Sequence, residues 1–267
     1  ARSAGALVFM ARAMVMATLP LSKVEGNEFS RVNGNYTLTM IAPSAIGLPY
    51  GSVPRLLLAW LTTEAVRTKS RDLLLGDSLS YFMRELEMTP TGGRWGSITR
   101  LKEQTRRLFS SIVSASYEDD RTIADMGYRL TEKSVLWWDS PEPKQAGLWH
   151  STVTLSDPFY REVIDRPVPI DMRAIKALKR SPMALDIYTW LTYRMSYLKR
   201  PTVIPWEGVA MMLGSNYAGI RFFKRAFLVE LKKVLLVYPA VDVEPLDDGL
   251  MIRPSKTHIP KKRDIDA

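Results

Sequence analysis

From Arg55 to Lys69, RLLLAWLTTEAVRTK places Leu57, Trp60, Leu61 and Glu64 through Thr68 on a 3.6-residue rhythm. Pro54 stands at its start, and no glycine or proline interrupts it. Such spacing predicts a helix with one buried face. LGDSLSYFMRELEM repeats the pattern, with Leu79, Phe82, Met83 and Leu86 inward and Asp77 or Ser78 as cap. The turn TPTGGRWG leads into a third helix from Ser97, whose apolar stripe runs Ile98, Leu101, Thr105, Leu108, Ile112. SSIVSASYEDD and GYRLTEKSVLWW then read as two strands around a charged tip.

From Ser181 the order recurs. SPMALDIYTWLTYRMSYL is a helix with Pro182 in its first turn, and its TWLT echoes AWLT, aligning Trp190 with Trp60. IPWEGVAMMLG is a short helix ending at Gly214. SNYAG turns into a long basic helix with Ile220, Phe223, Phe227, Leu231 and Val234 inward. YPAVDVEP and GLMIRP flank the hairpin tip LDDG. Helix, helix, turn, helix, strand, tip, strand is the order of a winged helix. The expected class is therefore mainly α with small β wings (α+β), as two tandem winged-helix domains. Residues 1–145 form the first, with an N-terminal helix or strand extension, and 146–255 the second. SPEPKQAG (140–147) has linker composition, and 256–267 is a basic tail expected to be disordered.

The N-terminal run AGALVFMARAMVMATLP is too short to span a bilayer, and MARAMVMATL within it is expected as a packed helix. It or the strand NYTLTMIA offers an apolar edge for a homodimer. At 267 residues, 46% hydrophobic and 24% charged, the composition is globular. A formal charge of +9 favours a polyanionic partner, nucleic acid being the commonest. With no cysteine, disulfides, thiolate metal sites and cysteine nucleophiles are excluded, which suits a reducing cytoplasm.

Gly92 and Gly93 raise the question of a phosphate loop. A Walker loop needs Lys and Ser or Thr directly after its last glycine, but Arg94 and Trp95 follow here. The glycines fit better as the turn of a helix-turn-helix, where positive φ carries no steric cost. The expected DNA-binding residues of the first half are Arg94, Ser97 (also the helix cap), Arg100, Lys102, Gln104 and Arg107, with Arg106 flanking. Arginine forks match guanine and glutamine matches adenine in the major groove. In the second half they are Asn216, Tyr217, Arg221, Lys224 and Arg225, with Lys232 further along. His150 and His258 lack metal-ligand spacing, the thirteen methionines read as core filler, and Trp137 and Trp138 adjoin in a strand. No catalytic constellation, metal site or cofactor is expected.

AIGLPYGSVPRLLLAWLTTEAVRTKS, LGDSLSYFMREL, PTGGRWGSITRLKEQTRRLF, RSPMALDIYTWLTYRMSYL and PTVIPWEGV resemble the plasmid-encoded RepA-type replication initiators. The likeness runs from about Leu19 to Pro254 and departs at Glu87, where the family pattern calls for glycine. The resemblance implies a cytoplasmic, non-enzymatic protein that binds direct repeats (iterons) at a plasmid origin through two winged helices. It also implies opening of an adjacent AT-rich segment and recruitment of host initiator and helicase proteins. A winged-helix transcriptional repressor is the alternative expectation, and a nickase or primase a weaker one.

Overall fold

The computed structural model describes residues 6–16, 18–76, 78–136, 151–214 and 217–260. The expected linker, Asp77, Trp137, Trp138, His150, Asn216 and the last seven residues of the tail lie outside them. The chain opens with β1 (Leu7–Met10), α1 (Arg12–Met16) and a hairpin of β2 (Glu28–Asn33) and β3 (Tyr36–Ile41). Next come α2 (Ser52–Thr68), β4 (Asp72–Leu74), α3 (Leu79–Glu85) and α4 (Ser97–Ser110). Strands β5 (Ile112–Glu118), β6 (Ile123–Arg129) and β7 (Thr131–Val135) follow. Beyond the undescribed stretch lie β8 (Thr152–Leu155), α5 (Asp157–Asp165), β9 (Val168–Asp171) and α6 (Met172–Leu178). The chain closes with α7 (Pro182–Met195), β10 (Thr202–Pro205), α8 (Trp206–Leu213), α9 (Ile220–Val237), β11 (Asp242–Pro245) and β12 (Gly249–Arg253).

The four long helices stand where apolar periodicity put them, because their inward residues are buried: Leu57 and Leu61, Leu101 and Leu108, Leu191, Phe223 and Phe227. Capping helps set their limits. Ser78 accepts from the Tyr81 amide, and Ser181 caps α7 at Ala184 with Pro182 behind it. Trp190 is buried, while Trp60 packs edge-on to Phe82 with centroids 5.0 Å apart. In the C-terminal part, α7, β10, α8, α9, β11 and β12 succeed one another, and the three strands pair antiparallel in the order β10-β12-β11.

The strands form a larger share of the molecule than small wings. The hairpin expected after α4 is present as β5 and β6, turning at Asp119–Thr122, but it joins β2 and β3 in a four-stranded sheet. The segment expected as one strand from Gly127 breaks at Leu130, and β7 turns away to pair with β8. Ile112, assigned to the inward stripe of α4, is the first residue of β5 and is 49% exposed. The packed helix expected over MARAMVMATL is present as the short α1, with Ala13, Met14 and Val15 buried, and β1 before it pairs with β9 from Leu7↔Asp171 to Met10↔Val168. Two strands therefore cross the expected 145/146 boundary: β8 lies between β4 and β7, and β9 pairs with β1. Buried residues of both halves, Leu57, Phe82, Trp190 and Phe227 among them, belong to one apolar core. Leu101 and Leu108 of α4 and Phe223 and Phe227 of α9 belong to that core as well.

Candidate nucleic-acid interface

The turn before α4 is a built structure. Ser97 Oγ donates to the Thr89 carbonyl at 2.6 Å and accepts from the Thr91 amide at 2.9 Å. Thr91 Oγ1 in turn accepts from the Ser97 amide at 2.9 Å, and Thr99 Oγ1 donates to the Gly93 carbonyl at 2.9 Å. Gly93 takes φ 84°, where a side chain is strained. At Gly96 an added Cβ would sit 2.3 Å from the Thr91 and Gly92 carbonyl oxygens. Gly96, not Ser97, is the N-cap of α4, and the Ser97 hydroxyl is spent inside the turn.

Just before this turn, Glu87 occupies the left-handed region at φ 58° and its amide donates to the Arg84 carbonyl, closing α3. Glycine was the residue expected at this position, and a positive φ is the backbone conformation that favours it. Glu87 also reaches across to the second half: its carboxylate pairs with Lys176 at 2.8 Å and its carbonyl accepts from Lys179 Nζ at 2.6 Å.

α4 sorts its polar residues onto three faces. Gln104 is buried and its Oε1 accepts from the Tyr50 amide at 2.9 Å, so it faces inward, not toward a ligand. Arg107 is likewise withdrawn. Its Nη2 pairs with Glu103 at 2.8 Å, its Nη1 donates to the Leu48 carbonyl, and its guanidinium lies 5.5 Å from the Tyr50 ring. Both are corrections to the expected outward set.

Arg94 and Arg100 stay exposed and line a groove of about 820 Å³. Its opposite wall carries Lys179, Arg180 and Pro182, from the junction of α6 and α7. Lys102 and Arg106 project to the other flank, around a 340 Å³ hollow shared with Arg129 and Glu132. Arg100, Lys102, Arg106 and Arg180 make no side-chain hydrogen bond or ion pair among the described residues. The cations at 179 and 180 were not singled out in the sequence; the adjacent Lys-Arg just before the Ser-Pro cap of α7 was their signal.

On α9, Arg221 and Arg225 are exposed. Lys224 is not free: its Nζ donates to the Leu246 and Asp247 carbonyls at 2.9 and 3.1 Å and lies 4.9 Å from the Trp206 ring. It braces the β11–β12 hairpin against α8, a correction to its expected outward position. The Tyr217 ring packs edge-on to Phe223, and burial raises its hydroxyl above the ordinary value. Tyr217, Phe222, Arg225 and Val229 line a second cleft of about 460 Å³. Leu21 and Pro182 line both clefts, so the outward faces of α4 and α9 adjoin across one stretch of surface.

Among the described residues no cluster of three His, Asp or Glu side chains has metal-site geometry, and no helix is long and apolar enough to cross a membrane. The architecture is that of a mixed α/β protein with exposed arginines on adjoining clefts. The family model for plasmid-encoded RepA protein matches residues 48–207, more than half of the chain. The chain belongs to this family of plasmid replication initiators. Crystal structures of domains 2 and 3 of RctB share its fold. One superposes with TM-score 0.58 at 10% identity, covering 90% of this chain and 97% of that one. The other gives 0.57 at 12% identity, covering 90% and 96%. No curated protein matches the sequence.

Proposed function

We propose that this protein binds duplex DNA at a plasmid origin by seating α4 and α9 in successive major grooves on one DNA face. The observation that carries the reading is the sharing of Leu21 and Pro182 by the two clefts. It leaves Arg100, Arg180 and Arg225 bordering a common path. Each half acts as a winged-helix module, with α2–α3–α4 and the β5–β6 hairpin in one, and α7–α8–α9 and the β11–β12 hairpin in the other. Successive grooves lie about 34 Å apart, and the shared core holds the two modules at fixed spacing.

Arg94, Arg100, Arg221 and Arg225 read bases or grip the nearest phosphates, while Lys102, Arg106 and Arg180 meet flanking phosphates. Ser97 and Tyr217 support the turns that present them. Affinity falls with salt by about 0.9 log units per phosphate contact per decade. In this reading the DNA sites are direct repeats in the cytoplasm, several bound copies strain an adjacent AT-rich segment, and host initiator and helicase proteins join the opened DNA. A homodimer is the form without DNA.

Supercoiled origin plasmid incubated with the protein tests this. Unpaired bases next to the bound repeats are expected, without nicks. Binding to an inverted operator with no opening would make the protein a repressor, and nicked or primed product in magnesium would make it an enzyme; either result overturns the proposal.

A further inference from the structure

Trp95 is 82% exposed at the apex of the turn before α4. An indole left in water forfeits the burial that stabilises most tryptophans. The turn does not leave it there by looseness. The Thr89–Thr91–Ser97 bonds, the Thr99 bond to Gly93 and the close approach at Gly96 all hold the apex in one shape. The Arg94 guanidinium lies 5.1 Å from the indole centroid, so the pair projects together as a flat apolar face with a charge beside it. Both residues line the same groove as Arg100 and Arg180.

We propose that Trp95, backed by Arg94, is a stacking site for a nucleobase displaced from the DNA stack. Every base presents a π face, so an indole accepts any of them, and the adjacent guanidinium takes the phosphate or adds to the stack. The base has two possible sources with the same chemistry: a step unstacked at a kink in the bound duplex, or a single strand beside it. The proposal rests on the reading of the groove as a duplex site, and it gives that site a means of holding open DNA as well as closed DNA.

The test compares full-length wild type, W95A and W95F on three labelled probes: a mixed-sequence duplex, the same duplex with an unpaired thymine bulge, and oligo(dT). W95A is expected to bind the bulged duplex roughly five- to hundred-fold more weakly, with W95F close to wild type, because phenylalanine keeps a stacking face. Plain duplex affinity falls by much less, because there the base must first be unstacked. A matching loss on oligo(dT) assigns the base to a single strand; no loss there assigns it to a kinked duplex. Of the seven tryptophans, Trp95 is isolated by subtracting the W95F emission, and its quenching by the bulged probe is the second expected result.

W95A binding all three probes like wild type, or losing all three equally, overturns the stacking site. The duplex reading fails separately, if wild type does not bind the plain duplex or if R100A and R180A bind it unchanged.

Discussion

Arg55 on α2 and Asp186 on α7 meet as a bidentate pair, Nε to Oδ1 and Nη2 to Oδ2 both at 2.6 Å, with both side chains buried. The remaining donors of Arg55 reach the Leu19, Pro20 and Gly51 carbonyls at 2.7, 3.2 and 2.7 Å. The pair thus joins the equivalent helices of the two halves to the strand of chain leading into Leu21, which lines both clefts. Burial pushes the Asp186 carboxyl up, and Arg55 opposes that shift. A buried pair adds little net stability, but half of one is costly. D186A is expected to lose about 3–5 kcal/mol in urea unfolding, and R55M combined with D186A to recover much of it.

Residues of α4 and of the groove beside it are expected to divide by role. R100A and R180A weaken duplex binding while leaving the melting temperature in place, since both side chains are exposed and unpartnered among the described residues. Q104A behaves oppositely: it takes the acceptor from the half-buried Tyr50 amide, costs about 1 kcal/mol of stability, and leaves affinity per folded molecule unchanged. Thermal melts beside anisotropy titrations of the three variants check this.

At Glu87 the backbone conformation and the ion pair pull apart. E87G relieves a left-handed residue, worth roughly 1–2 kcal/mol, while forfeiting the partly exposed Lys176 pair, worth about 0.2–1 kcal/mol. E87A forfeits the pair and keeps the strain. Chemical denaturation should therefore place E87G about 1 kcal/mol or more above E87A.

His258 ties the C-terminal segment to the core. Its Nδ1 lies 2.8 Å from the Tyr188 hydroxyl, which also accepts from the Asp171 amide at 2.9 Å. The ring stacks on Tyr238 at 4.8 Å. Burial, the largest influence, lowers the imidazole below its ordinary 6.5, against the pull of Asp171. A depressed folded value means the folded state binds the proton less well, so this stability is complete above pH 6.5 and is lost as pH falls below it. Melting of wild type should decline from pH 7.5 to pH 5 more steeply than that of H258N.

The four long helices were legible because each carries its apolar spacing over fourteen or more residues, and the C-terminal hairpin because LDDG punctuates it. Side-chain direction on α4 was legible only in part. Gln104 falls between Leu101 and Leu108 on the inward face, but its polarity argued for water; the partner that reverses this, the Tyr50 amide, is distant in sequence. Lys224 fails the same way, held by a hairpin tip that only the fold brings near. The pairings β1–β9 and β4–β8 carried no local signal, since short strands take their register from partners the sequence does not name. Glu87 was the reverse case: the expectation of glycine there marked a position whose φ is positive.

Hydroxyl-radical footprinting of wild type, R100A and R225A on an origin fragment tests the shared DNA path most directly. Wild type should protect two patches on one face of the duplex, about one helical turn apart, with R100A losing one patch and R225A the other. A single patch shorter than a turn, or patches that neither substitution alters, would contradict it.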